Sequence, residues 1–328
     1  MATNQYAYAS NRFNPIIMTI TQLKYCIAVA EHRNFTTAAE HAFVTQPTLS
    51  MQIQKLEQEL DLTIFDRTQK PIALTEVGKK IVEQAKLIVA ESDRMLDVVD
   101  QEKGVIGGTF KLGIIPTIMP TLLPMFLQTV LKAYPQLALE IEEMPTQQIL
   151  EHLEKGTLDA GIAATPLGMD QIVEKPLYYE PFMVYAPSHS KLSKEASITS
   201  EMLTDERMLL LQDGHCFRDS ALNICKLQYN SPTPFEIKSG SFETLVQLAN
   251  EGLGITLLPY LNARQLGQEH QQNLKSFSAP EPAREVSVIY HKRELKLHII
   301  KALHEKIRAI IRGAIVYEDV KIISPKSS

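Results

Sequence analysis

The sequence predicts an α/β fold: an N-terminal winged helix-turn-helix, a long linker helix, and a two-subdomain, doubly wound α/β domain. Three observations predict it. Residues 19–70 hold three short amphipathic segments, a long helical stretch with alternating four- and three-residue apolar spacing follows, and beyond Gly108 strand-like and helical runs alternate. A chain of 328 residues suits two or three domains, so separate segments are expected to do separate jobs.

The first helix is expected from Ile20 to His32. It opens on Thr19-x-x-Gln22, which fits a capping box, and places Leu23, Cys26, Ile27 and Ala30 on one face, so Cys26 reads as core. The second opens at Thr36 or Thr37, where Thr37-x-x-Glu40 again fits a capping box, and ends near Ala42. The third spans Gln46 to Leu60. Pro47 lies in its first turn, where a missing N–H costs nothing, and Leu49, Ile53, Leu56 and Leu60 form its apolar stripe. Two helices joined by a tight turn through Phe43, Val44 and Thr45 make a helix-turn-helix, and Leu62 to Leu74, with Arg67 and Pro71, suits a two-stranded wing.

From Thr75 to about Gln101, Ile81, Ala85, Ile88, Ser92, Met95 and Val99 form an a/d seam interrupted only by Ser92. The residues between them are mainly charged, which favours a dimerising helix over one packed on its own domain. Gly104, Gly107 and Gly108 end it. Strand-like Phe110 to Ile115, helical Leu122 to Ala133, strand-like Leu139 to Glu143, helical Gln147 to Lys155 and strand-like Ala160 to Ala164 then follow in βαβ order, implying an open parallel sheet. A second set takes in Phe182 to Ala186, Met208 to Leu211, a helix after Cys216, a helix from Phe242 to Asn250, and Ile255 to Leu258. Val286 to Tyr290 and a helix from Leu295 to about Arg312 close it.

Composition excludes several classes. A 45% hydrophobic and 22% charged content is that of an ordinary globular protein, and no apolar run approaches the roughly 18 residues of a membrane span. Residues 1–17 lack an apolar core and a cleavage site, so they read as a disordered extension, with Met1 and Met18 both able to serve as the start. Three cysteines without a secretion signal imply a reducing, cytoplasmic compartment rather than a disulfide framework. The net charge of -5 does not exclude nucleic acid, because a small reading head can sit on an acidic body. The nine histidines show no ligand spacing, so neither a metal nor a cofactor is expected.

A set of motifs gives the N-terminal segment its meaning: Phe35-Thr36-x-Ala38-Ala39-Glu40, Thr45-Gln46-Pro47-Thr48-Leu49-Ser50-x-x-Ile53-x-x-Leu56-Glu57, Leu62, Phe65-x-Arg67 and Leu74-Thr75-x-x-Gly78. Together they resemble the LysR-type regulators, a likeness that extends from Met18 to about Arg312. A recognition helix needs short polar side chains in its first turns to reach groove edges and phosphates, and Thr45, Gln46, Thr48, Ser50 and Gln52 supply them. Gln46 can pair bidentately with adenine, Arg67 can enter a minor groove, and Thr45 and Ser50 suit phosphates. By resemblance Thr36, Pro47 and Thr75 join that set. Relatives often carry arginine near Gln52 and Gln54, so weaker phosphate affinity or a different operator is expected here.

The resemblance implies a regulator of double-stranded DNA that works with RNA polymerase, and a regulatory domain like the periplasmic binding proteins. It divides the chain into a DNA-binding domain at 18–76, a linker helix at 77–106, a regulatory domain at 107–313 and a tail at 314–328. Within the regulatory domain, subdomain I takes about 107–180 and 285–313, and subdomain II about 181–284. A homotetramer, as a dimer of dimers, is implied by the family; the seam alone supports a dimer.

A second constellation, Gln212-Asp213-Gly214-His215-Cys216-Phe217-Arg218-Asp219 with Cys225 nine residues after Cys216, resembles the peroxide-sensing branch of that family. There the matching cysteines are the reactive and resolving thiols. Attack on hydrogen peroxide needs a thiolate, and His215, Arg218 and a helix starting beyond them are expected to lower the Cys216 pKa. Asp219 flanks the same thiol, Thr117 and Thr146 can aim hydroxyls at a bound peroxide, and Arg284 is a further candidate near the site. Sulfenic acid at Cys216 can be trapped by a second thiol, which by resemblance is Cys225. If 217–225 is helical, nine residues rise roughly 13.5 Å, beyond the disulfide's Cα reach of about 7 Å. The helix must then unwind, and the refolded segment is the expected switch. Activation of antioxidant genes is the leading expectation. A metabolite-responsive regulator with incidental cysteines and a thiol peroxidase with an ancillary N-terminal domain are the alternatives.

Overall fold

The computed structural model describes residues 18–103, 106–225, 239–315 and 320–325. The expected extension at 1–17, Gly104 and the side chain of Val99 lie outside the described residues. The chain divides into two compact units, Met1–Asp97 and Val98–Ser328.

In the first unit, helices α1 (Ile20–His32), α2 (Phe35–His41) and α3 (Gln46–Leu60) precede a hairpin of β1 (Phe65–Asp66) and β2 (Ala73–Leu74). The Thr19 and Gln22 side chains cap each other's backbone at 3.2 and 2.8 Å, closing the expected box at the head of α1. At α2 the expected cap is displaced. Asn34 accepts from the Thr36 and Thr37 amides at 2.8 and 3.2 Å, so the helix starts before either threonine and Phe35 enters it. A short amide acceptor two to three residues ahead satisfies both free N–H groups, which a capping box starting at Thr37 would leave open. Leu23, Cys26, Val29, Leu49, Ile53, Leu56 and Phe65 share one core. Helix α4 (Glu76–Lys103) begins where Thr75 accepts from the Gly78 amide at 2.9 Å, and a Cβ on Gly78 would run into the Ile64 carbonyl oxygen. The first half of its seam packs on that core, Ala85 being buried, while Met95 is 71% exposed.

The second unit begins with β3 (Gly108–Ile114), α5 (Met119–Ala133), β4 (Leu137–Glu143), α6 (Thr146–Glu154), β5 (Ala160–Thr165) and the long β6 (Ile172–Tyr185). It continues through β7 (Met208–Leu209), α7 (Cys216–Cys225), α8 (Phe242–Asn250), β8 (Ile255–Pro259), α9 (Tyr260–Arg264), α10 (Gln268–Gln271) and β9 (Leu274–Ser276). It ends with β10 (Glu281–His291), α11 (Leu297–Ile311) and β11 (Val320–Ile322). The strand order is β4-β3-β5-β10-β6-β8-β7, with β11 beside β10 and β9 beside β6.

The sheet is mixed, not wholly parallel as the βαβ order implied. β3 is parallel to β4 and β5, but β10 is antiparallel to both β5 and β6. The reason is that β6 and β10 are longer than their apolar ends suggested, 14 and 11 residues, and run from one core to the other. One core gathers Phe110, Ile114, Phe126, Ile162, Tyr178 and Ile289; the other gathers Phe182, Tyr185, Phe217, Ala221, Cys225 and Leu257. Part of the expected tail is a strand: β11 pairs in parallel with Glu281–Ala283 of β10.

Candidate functional site

Cys216 is the first residue of α7. Gly214 makes the turn into it with φ at 90°, a left-handed backbone that a side chain would resist, and the Arg218 amide closes on the His215 carbonyl at 2.9 Å. The half-buried sulfur therefore sits where free helical N–H groups favour negative charge, and the Phe217 amide donates to it. Beside it lies a cavity of about 490 Å³ whose walls include Thr146, Leu150, Gly214, Cys216 and Asp219.

Arg284 anchors a buried polar network whose charge reaches the thiol. It is fully buried on β10, directly opposite Glu180 on β6. Its Nε and Nη2 donate to Glu180 Oε2 at 2.9 and 2.6 Å, Nη1 donates to Thr117 Oγ1 at 2.9 Å, and Nη2 also donates to the Thr117 carbonyl at 3.1 Å. Its guanidinium lies 5.5 Å from the centre of the Phe217 ring. Because Thr117 Oγ1 is already loaded as an acceptor, its own hydroxyl hydrogen is left to donate. Thr146, at the first position of α6, has a buried Oγ1 with no settled partner of good geometry, but close enough to the thiol to favour its anion. The thiol thus has the Thr146 hydroxyl and the Arg284 guanidinium acting on it, with the Thr117 hydroxyl held by that same guanidinium, a set able to bind and polarise a small oxidant.

The electrostatics revise the expected roles. Burial pushes the Cys216 thiol up, and Arg284, the Thr146 hydroxyl and the Phe217 amide oppose that rise without overcoming it. His215 and Arg218 do not serve as expected. Burial pushes the His215 pKa down, so its ring is neutral, and Arg218 is bound to Asp213 at 2.8 Å and the Leu211 carbonyl at 2.9 Å. The cation acting on the thiol comes instead from Arg284 of β10, 68 positions further along the chain. Asp219 also works against activation: its charge raises the thiol's pKa. Asp219→Asn is accordingly expected to speed oxidation of Cys216 at pH 7 by about two- to threefold, since removing that negative charge enlarges the thiolate fraction. Stopped-flow oxidation of the two proteins checks it; an equal or slower rate would contradict the assigned sign.

Cys225 ends α7, buried, with its thiol pushed up to about 12 by burial. All three cysteines are free thiols, and Cys26 is a core residue also pushed up to about 12.

In the helix-turn-helix unit, Gln46, Pro47 and Thr48 are exposed at the head of α3, and Ser50 and Gln52 are half-buried. Thr45 is the N-cap: its hydroxyl accepts from the Thr48 amide at 3.4 Å and meets the Thr48 hydroxyl at 2.8 Å. Thr36 is exposed at the start of α2. Two residues are tied down instead of free. Arg67 is paired with Glu57 at 3.0 Å and lies 5.1 Å from the Phe35 ring centre, and Thr75 holds the Thr63 carbonyl at 2.7 Å besides capping α4. Glu57 draws Arg67 inward because its other oxygen accepts from the Ile64 and Phe65 amides at 2.7 and 3.1 Å, which fixes the carboxylate under the wing.

Residues 20–79 match the family model described as the bacterial regulatory helix-turn-helix protein of the lysR family, and residues 103–311 match the LysR substrate binding domain. The chain belongs to the LysR family. Among LysR-family relatives it is 34% identical to a hydrogen peroxide-inducible genes activator of Dickeya chrysanthemi, over 83% of this chain and 89% of that one. It is 32% identical to the DNA-binding transcriptional dual regulator OxyR of Escherichia coli K12, over 90% and 97%. A full-length OxyR variant from Pseudomonas aeruginosa superposes with a TM-score of 0.69 at 35% identity, covering 89% of this chain and 95% of that one. A peroxide-bound OxyR variant from Corynebacterium glutamicum gives 0.62 at 27% identity, covering 90% and 93%.

Sequence reasoning missed Glu180. Its signal was present: a lone carboxylate in the apolar run from Leu177 to Tyr185 demands a buried partner, as does Arg284 between Ala283 and Val286.

Proposed function

We propose that this LysR-family regulator responds to hydrogen peroxide and acts mainly as an activator of antioxidant genes. The observation that carries the reading is the pairing of Cys216 with the Thr146 hydroxyl and the Arg284 guanidinium, which also holds Thr117, in a chain similar to OxyR over most of its length. The Cys216 sulfur attacks one peroxide oxygen, the S–O bond forms as the O–O bond breaks, and the leaving hydroxide takes the thiol's proton to become water. The sulfenic acid then reacts with the Cys225 thiol, forming the S–S bond and a second water. Thr117 and Thr146 donate to the peroxide oxygens, and Arg284 stabilises the anion.

Helix α7 supplies the switch. Its ten residues hold the two thiols at opposite ends, roughly 13.5 Å apart along the axis, so the disulfide forms only after the helix unwinds. Unwinding also exposes Cys225 to solvent, which removes the cause of its raised pKa. The refolded segment changes how subunits of a dimer of dimers pack, with α4 as the dimerising helix. Gln46, Pro47, Thr48, Ser50 and Gln52 of α3 read the operator, and RNA polymerase is the downstream partner. The boundaries that fit these roles are 18–76 for DNA binding, 77–106 for the linker and 107–313 for regulation.

The test is a promoter footprint and a free-thiol count on the full-length protein before and after stoichiometric peroxide. The expected result is the loss of two thiols and a changed footprint. An unchanged count and footprint would overturn the reading in favour of a metabolite-responsive regulator.

A further inference from the structure

We infer that Glu180 is a positioning residue of the peroxide site, acting on Cys216 through Arg284; the inference rests on the thiol reading above. Glu180 is fully buried, and a buried carboxylate is tolerated only where its oxygens are paired. Both are. Oε2 takes two N–H groups of Arg284, and Oε1 accepts from the Leu261 amide at 2.9 Å, at the start of α9.

A guanidinium has five N–H groups in a fixed fork. Glu180 takes two and Thr117 takes two, which leaves one on Nη1 with no protein acceptor among the described residues. The carboxylate therefore sets the plane of the fork, and with it the group that remains to act on the thiol. The bridge lies between β6 and β10, the two strands shared by both cores. Through its partners it also touches the loop before α5 at Thr117, the head of α9 at Leu261, and α7 at Phe217. No other carboxylate on these strands holds Arg284 among the described residues.

Glutamine cannot take over the task. An amide has one accepting end and one donating end, so whichever way it turns, its NH₂ faces either the Arg284 or the Leu261 N–H. The fork is then loosened, and its hold on the thiolate weakens.

The experiment measures Cys216 oxidation by hydrogen peroxide against pH in full-length wild type, E180Q and E180D, with operator binding of the reduced proteins as the check on folding. For E180Q the pH–rate profile is expected to move to higher pH and the rate at pH 7 to fall about tenfold, the effect of one pKa unit; E180D, which keeps the charge on a shorter stem, recovers part of the loss. E180Q/R284M is expected to be no slower than R284M, because residues acting as one unit are not additive. Should E180Q fail to fold, E180D carries the test through its own alkaline shift. A wild-type profile in folded E180Q, or losses that multiply in the double variant, would overturn the inference. Failure of wild-type Cys216 to oxidise at all would instead sink the thiol reading on which it rests.

Discussion

Cys216→Ser is expected to abolish the response to peroxide, leaving footprint and transcription at their reduced-state levels at every peroxide concentration. No other thiol can substitute. Cys26 and Cys225 are buried and both are held neutral, their pKa values pushed up to about 12 from 9.0, so neither presents a thiolate while the fold is intact. Cys225→Ser has a different outcome: Cys216 still reacts, but mass spectrometry finds it as sulfenic or over-oxidised acid with no link to a second residue. In the wild type the rate is expected to rise with pH through the neutral range, because the Cys216 pKa is raised and each step upward adds thiolate. A normal response in C216S would show that the reactive thiol has been misassigned.

Arg284→Met is expected to cost both stability and reactivity. It leaves Glu180 fully buried with its strongest partner gone, and breaking one side of a buried pair typically costs about 3–5 kcal/mol. It also frees Thr117 from its 2.9 Å bond and strips the thiol of the guanidinium that favours its anion, so oxidation of Cys216 is expected to slow about tenfold or more. Denaturant midpoints of the reduced proteins and stopped-flow rates check the two halves separately. A stability loss below about 1 kcal/mol would mean that the pair is compensated elsewhere.

The sequence disclosed local elements more readily than the contacts between them. The limits of α1 and α3, the wing and the cap of α1 follow from apolar period and neighbouring polar residues, all of which act within a few positions. The Asn34 cap was missed because a competing capping box at Thr37 has the same spacing signature. The mixed sheet was missed because β6 and β10 carry Glu180, Arg284 and Glu285 within their strands, which breaks the apolar pattern that marks a strand. That same interruption is the functional message. Cys216 was legible from its flanking residues, but its cation was sought on the same helix turn, in His215 and Arg218, when the fold brings Arg284 across from another strand. Asp219 stands among the activating groups expected from the sequence, yet its charge raises the thiol's pKa.

In the proposed switch, α7 exchanges its helix for the Cys216–Cys225 bond. The most direct test is amide hydrogen exchange over residues 217–225 in the reduced protein and in the protein oxidised by stoichiometric peroxide, with disulfide mapping on the same samples. Protected amides are expected when reduced, and lost protection together with a 216–225 link when oxidised. A 216–225 link formed while those amides keep their protection would contradict it.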